Sequence, residues 1–238
     1  MSLAYDFQWN TLDATFYMPT ESDGTFPFPT RYTHMAALAT AFEWGRLKMQ
    51  ASVLGYFVHE KVERFEARPD KAVATPAFFG SFKVLKNHDL SVRAFYKRMF
   101  RMPTFNDLYY TDMGNAFLKP EYAEQFNVGL KYTRNFEKSP FMRMLDVSVD
   151  AYYNKITDKI IAYPKGQQFR WTMLNLGEVE IKGVDAVLNT QFSLGKLEVT
   201  TKFQYTYQKA IDITDPADTY YRDQIPYIPW HSAVSYTH

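Results

Sequence analysis

Apolar and polar residues alternate with a period of two over most of this chain. The cleanest run is 197–208. Leu197, Val199, Thr201, Phe203, Tyr205 and Tyr207 fall on one side; Glu198, Thr200, Lys202, Gln204, Thr206 and Gln208 fall on the other. The stretch 145–154 repeats it, with Leu145, Val147, Val149, Ala151 and Tyr153 against Asp146, Ser148, Asp150, Tyr152 and Asn154. So do 125–133, on Phe126, Val128, Leu130 and Tyr132, and the start of the chain, on Leu3, Tyr5, Phe7 and Trp9. This is the pattern of a strand with two unlike faces. Less regular strands are expected around 32–44, 47–60, 77–85, 89–99 and 180–193. Runs of about ten residues suit a tilted bilayer crossing, whereas globular strands average about five or six.

The connections alternate too. Tight reversals are expected at Glu43-Trp44-Gly45-Arg46, Leu85-Lys86-Asn87-His88, Phe136-Glu137-Lys138-Ser139-Pro140 and Ser193-Leu194-Gly195-Lys196. Long connections are expected at 19–31, 61–75, 101–120, 155–178 and 209–230. A soluble β-protein has no reason to keep its long loops on one parity. An outer-membrane barrel does, with short turns on one side of the membrane and long loops on the other.

Composition narrows the choice. Aromatic residues make up 18% of the 238 residues, yet charged residues make up 22% and mean hydropathy is −0.37. No apolar run reaches the ~18–20 residues of a spanning helix. A membrane chain this polar crosses as a barrel, because barrel strands average lipid-facing and lumen-facing side chains. Aromatics gather toward strand ends at Trp44, Tyr56, Phe57, Tyr152, Tyr153, Tyr205 and Tyr207, as interfacial girdles require. Net charge is +1, which gives no electrostatic case for nucleic acid. There are no cysteines, so no disulfide or thiolate metal site is possible. The fold class expected is all-β: an antiparallel up-and-down transmembrane β-barrel. Met1-Ser2-Leu3 runs straight into a strand and Ser235-Tyr236-Thr237-His238 looks like the inside of one. Both ends therefore read as cut, and the chain reads as an internal piece of a longer protein.

A linked set of motifs narrows it further. Phe100-Arg101-Met102-Pro103-Thr104-Phe105-Asn106-Asp107-Leu108-Tyr109-Tyr110 is followed by Gly114-Asn115, then Leu118-Lys119-Pro120-Glu121, then a strand with Asn127 and Gly129. Pro103 suits a strand exit because it has no amide hydrogen. Asn106 and Asp107 can bond nearby loop backbone. Pro120 blocks upstream extension of a ladder. Gly129 leaves room for a close approach. This order resembles the signature of TonB-dependent outer-membrane receptors, with phrasing most similar to those of Bacteroidota. Tyr152-Tyr153-Asn154-Lys155-Ile156-Thr157-Asp158 with Ile160 resembles the family's strand exit. Asn175, Gly177 and Glu180-Ile181-Lys182-Gly183-Val184-Asp185 resemble its next strand start, and Pro226-Tyr227-Ile228-Pro229 with His231 resembles a later one. By this resemblance Arg101, Pro103, Thr104, Asn106, Leu108, Tyr109, Leu118, Lys119, Pro120, Glu121 and Gly129 are structural residues of a barrel rim.

The resemblance implies a barrel of about 22 strands filled by an N-terminal plug, importing siderophore-iron, haem, cobalamin or glycan. It implies no cofactor. Its partners would be outer-membrane lipid, a small-molecule or glycan cargo, and the TonB complex, reached through an N-terminal part that this stretch lacks. Its place would be the bacterial outer membrane. Residues 1–238 would form a partial barrel domain of about nine or ten strands, without plug, TonB box or closing strand.

Candidate chemistry is sparse. Asp212, Asp215 and Asp218 could offer oxygens to Ca²⁺, but that loop lacks the glycine and closing glutamate of an EF-hand, and a solvated turn explains it as well. The five histidines show no ligand spacing. There is no nucleophile elbow, phosphate-cradling glycine loop or HExxH, and no enzymatic role is expected. Loop aromatics Tyr109, Tyr110, Phe169, Trp171, Tyr220 and Tyr221 are candidates for contact with a bulky ligand, or for packing loops over the barrel mouth. Two other readings stand beside the transporter: a soluble or surface β-sheet binding module, and a barrel enzyme with a Ser-His pair at its rim.

Overall fold

The computed structural model describes residues 1–13, 26–85, 89–110, 113–165, 170–225 and 228–237. These residues form one antiparallel sheet of ten strands paired in chain order. The strands are β1 (Ser2–Thr11), β2 (Thr30–Trp44), β3 (Leu47–Lys61), β4 (Lys71–Lys83), β5 (Asp89–Arg101), β6 (Glu121–Asn135), β7 (Met142–Lys165), β8 (Arg170–Leu194), β9 (Leu197–Asp212) and β10 (His231–Thr237). A short helix, α1 (Phe105–Tyr109), lies between β5 and β6. Strands β1 and β10 are the two edges, so the sheet is an unclosed barrel wall.

The tight turns fall where the pattern placed them. Gly45-Arg46 and Gly195-Lys196 each make a two-residue hairpin. Both glycines have positive φ, 58° and 67°, as a primed hairpin turn demands. The β6–β7 reversal spans 136–141. Of the β4–β5 reversal, Lys86, Asn87 and His88 lie outside the described residues. The long connections β1–β2, β3–β4, β5–β6 and β9–β10 leave from the opposite end of the sheet, and their described residues include 26–29, 62–70, 102–110, 113–120 and 213–225.

One long connection is not a loop. Strands β7 and β8 run 24 and 25 residues and stay paired up to Lys165 and Arg170, so most of 155–178 is a projecting hairpin. Asp158 and Gly177 look like strand breakers. The hairpin absorbs them: Asp158 takes a φ of 54° between the pairs Thr157–Glu178 and Lys159–Leu176, and the ladder resumes with Ile160, Ile161 and Tyr163.

Register sorts the side chains into two continuous faces. Leu3, Leu38 and Val53 are cross-strand neighbours on one; so are Leu130, Val149 and Ala186. Most of the large exposed hydrophobics, including Phe42, Phe78, Phe126, Val128, Leu130, Val149, Leu188 and Phe203, lie on this face. The other face is polar, and side chains cross it over intervening strands. Arg93 on β5 reaches Asp150 on β7, and Tyr152 on β7 donates to Gln208 on β9 at 3.5 Å. Contacts that skip a strand need the side chains to converge, which marks this face as concave. Phe79 and Phe95 form an exposed aromatic pair on it.

The apolar face has borders. On β7 it runs from Leu145 to Tyr153, roughly 20–25 Å at a rise of about 3.3 Å and a tilt of about 40°. Toward the long loops it ends in an aromatic row, Tyr96–Phe126–Tyr153. Beyond that lies a row of alternating charge, Arg98–Glu124–Lys155–Glu180. Toward the short turns it ends at Trp44, Leu47 and Phe82. The girdle is leaner than the sequence suggested. Phe57, Tyr153, Tyr205 and Tyr207 face outward, but Tyr56 and Tyr152 sit at the alternate parity and face the concave side.

Candidate functional site at the sheet mouth

At the long-loop end of the concave face the motif residues build a clamp. Thr104 caps α1: its hydroxyl accepts from Asp107 N at 3.1 Å, while the Asp107 carboxylate accepts from Thr104 N at 2.9 Å. This capping box holds two orphan amides of the short helix. Arg101 ties it down, 3.0 Å from Asp107 and 3.5 Å from Glu121. Pro103 is fully buried beneath the turn. Leu108 and Leu118, 2% and 1% exposed, pack with Phe105 and Ile160 in one apolar cluster. The Asn106 side chain is exposed.

The clamp closes on the β7–β8 hairpin. Asn175 accepts from Lys119 N at 2.8 Å and donates to Lys119 O at 3.1 Å and Asp158 O at 2.7 Å. Asn115 donates to Met173 O at 3.0 Å, and Glu121 accepts from Ile160 N at 2.9 Å. Lys119 lies 3.8 Å from Asp158, and Pro120 is buried at the start of β6. The loop is therefore latched to backbone groups that the hairpin ladder leaves available.

Helix α1 also covers an ion pair. Arg31 on β2 and Glu60 on β3 meet at 2.6 Å and are 8% and 3% exposed, with the Phe105 ring 4.8 Å from the guanidinium. Tyr109 packs edge-on to Phe26, 6.3 Å between centroids. Burial raises its phenol pKa above the usual range, and the Glu60 carboxylate adds to that.

Gly129 faces the concave side further down, between Arg93 and Asp150. Gly183 does the same for Tyr152 one strand pair on. The sequence reading picked out Gly129 as a point of close approach but not what approaches it. Charged residues at polar positions of β5 and β7 were the available signal.

The described loop aromatics lie on separate connections. Tyr109 is half-buried in the clamp, while Tyr110 and Tyr220 are 56% and 68% exposed on different loops. Tyr221 is half-buried beside Tyr220. Phe169 lies outside the described residues. Trp171 pairs with Pro164 across the hairpin and lines an open cavity of about 610 Å³ with Ile161, Tyr163, Ile225 and Ile228. None of the four tyrosines borders it. The three aspartates also serve their own loop: Asp212 accepts from Thr214 N, Asp215 from Ala217 N and Asp218 from Tyr220 N. Among the described residues no three His, Asp or Glu side chains gather as a metal site.

The family described as TonB dependent receptor-like, beta-barrel, matches residues 1–238. The chain belongs to that family. Two curated relatives are the vitamin B12 transporters BtuB of Vibrio vulnificus and Photobacterium profundum. They are 32% identical over 99 residues and 34% identical over 113 residues. The matches span 42% and 44% of this chain but only 14% and 16% of those proteins. Among solved structures, the copper transporter OprC superposes with a TM-score of 0.68 at 17% identity. The match spans 98% of this chain and 37% of OprC. The FrpB iron transporter from Neisseria meningitidis superposes at 0.54 with 16% identity, over 77% of this chain and 26% of FrpB. These likenesses fix the fold as the wall of a TonB-dependent receptor barrel in the bacterial outer membrane. Its short turns then face the periplasm and its long loops the exterior.

Proposed function

We propose that this chain forms part of the wall and outer loops of an outer-membrane receptor that takes up a scarce nutrient. The observation that carries the reading is the outward apolar band, closed above by an aromatic row and a charged row, around a polar concave face. Such a surface is costly in water and matched to a bilayer. The relatives are named for vitamin B12, copper and iron; the cargo belongs to one of the classes siderophore-iron, haem, cobalamin, copper or glycan. The exposed aromatics Tyr110 and Tyr220, together with Trp171, Tyr109 and Tyr221, are the side chains we assign to cargo contact. Phe169 belongs with them by its place in the chain. Arg101, Pro103, Thr104, Leu108, Leu118, Lys119, Pro120 and Glu121 hold the rim that carries those loops, and Gly129 serves the wall below it. Energy reaches the receptor from the TonB complex through parts outside these residues. The role is transport and not catalysis.

Uptake tests it. A strain lacking the receptor gene is compared with its parent for accumulation of labelled cobalamin, siderophore-iron, haem, copper and oligosaccharides at limiting concentration. The reading expects one class to be lost, with the same loss when TonB is removed. Unchanged uptake of every class, or uptake that survives loss of TonB, contradicts it.

A further inference from the structure

The ladder between β4 and β5 stops short. Strand β4 stays paired with β3 out to Lys71, and β5 stays paired with β6 out to Arg101. Between them the register pairs end at Ala77–Lys97. Pro76 is the cause. Lys83 N donates to Arg46 O on the β3 side at 3.0 Å, and Val84 N donates to Leu90 O on the β5 side at 2.8 Å. Backbone groups alternate sides along a strand, so the even-numbered residues of β4 face β5. Pro76 is the next of these beyond Phe78, and it has no amide hydrogen to give. Past it, the backbone groups of Ala72 and Ala74 face those of Arg98 and Phe100 with no register pair between them.

The side chains agree with a gap. Tyr56 on β3 has the concave parity and Phe100 on β5 the outward parity, with β4 between them. Their rings nevertheless meet, 5.4 Å between centroids, which an unbroken wall would prevent. Phe100 is 8% exposed, so the rings fill the gap. It begins just beyond the Phe78–Tyr96 pair of the aromatic row, at the surface of the outer leaflet. Side chains join its banks toward the exterior. Arg68 of the β3–β4 connection donates to Ala116 O at 3.4 Å and to Leu118 O, both in the β5–β6 connection.

We propose that this gap is a side port. The outer half of β4 swings away from β5 about Pro76, with Arg68 as its latch, and admits an apolar or amphiphilic molecule from the leaflet surface to the concave face. The lining selects the class: Tyr56, Val73, Ala74, Met99 and Phe100 flank the gap, and it is continuous with the apolar band below. Opening breaks no ladder hydrogen bond, because none spans the gap; it costs the side-chain contacts alone, as local opening units do. The inference rests on the outer-membrane placement of the wall and is independent of the cargo.

Thiol labelling of the full-length receptor in lipid vesicles reads the port, and this chain has no cysteine of its own. Val73→Cys places a thiol on the concave side behind the gap; Ser148→Cys places one on the same face at β7 as the control. Pyrenyl maleimide enters from lipid, and a sulfonated maleimide stays in water. Arg68→Ala should speed pyrenyl labelling of Val73→Cys about tenfold or more, the scale of one lost hydrogen bond. Pro76→Val restores the amide, so it should slow that labelling and slow hydrogen exchange at Ala74 and Phe100. Ser148→Cys should label at one rate in every background. Labelling of Val73→Cys that Arg68→Ala leaves unmoved overturns the proposal. So does acceleration shared by Ser148→Cys or by the sulfonated reagent, or exchange at Ala74 and Phe100 that Pro76→Val leaves unchanged. Labelling does not depend on uptake, so either result leaves the transport reading standing.

Discussion

Arg93 and Asp150 form an ion pair across an intervening strand, and Gly129 is the residue they pass over. Arg93 Nε lies 3.1 Å from Asp150 Oδ1, with a second contact from Nη2 to Oδ2. A Cβ at position 129 would overlap the carboxylate and stand 3.1 Å from Arg93 Nε. The glycine is therefore required by what crosses it and not by its own backbone angles. Both charges are largely shielded, with side chains 34% and 17% exposed.

Gly129→Ala in the full receptor should destabilise the barrel by about 1–3 kcal/mol, since separating the pair leaves a partly buried carboxylate without its cation. Thermal unfolding in detergent, followed by heat-modifiable gel mobility, measures it. In an Arg93→Ala background the added cost of Gly129→Ala should shrink, because the two changes remove one interaction. Full additivity would contradict the arrangement.

Asn175→Ala should free the β5–β6 loop from the hairpin. Three hydrogen bonds end on that one amide, each worth about 0.5–1.5 kcal/mol net. Local opening should rise about tenfold or more while global unfolding moves little. Limited proteolysis of intact cells reads it as faster cleavage within 110–120. Asn175→Asp keeps the acceptor but turns a carboxylate oxygen toward the Lys119 and Asp158 carbonyls, so it should open the loop at least as much as Ala.

Glu60→Ala should cost about 3–5 kcal/mol, the penalty for stranding a buried guanidinium. The paired change Arg31→Met with Glu60→Leu should recover most of it, because no charge is then left unpaired. Denaturant unfolding of the refolded receptor decides. A double variant as weak as Glu60→Ala would show that the ion pair is needed for its own sake.

Most of the wall was legible in the sequence. Period-two alternation fixes which side chains share a face, and Gly45 and Gly195 fix the turns between them. Where the reading stopped, the reasons are particular. Asp158, Pro164 and Gly177 carry the chemistry of a loop, but the ladder from Ile160 to Tyr163 outweighs them. Tyr56 and Tyr152 look like girdle residues by position, and only register shows that they face inward. The clamp was legible as a motif but not as a contact, since Asn175 stands 56 residues from Lys119. Residues 101–120 read as a loop, and the capping box of Thr104 and Asp107 that turns Phe105–Tyr109 into α1 was not anticipated, because one short helical turn leaves no periodicity. The described loop aromatics Tyr109, Tyr110, Trp171, Tyr220 and Tyr221 lie on separate connections.

The central claim is that the band bearing Val147, Val199 and Phe203 meets lipid while Ser148 and Thr200 line the interior. Arginine at each of the five positions in the full receptor, scored by the folded fraction recovered from outer membranes, tests it most directly. The account predicts that Val147→Arg, Val199→Arg and Phe203→Arg lose assembly, with costs rising to about 2–4 kcal/mol near the bilayer midplane. It predicts that Ser148→Arg and Thr200→Arg assemble normally. Equal tolerance at both sets would contradict it.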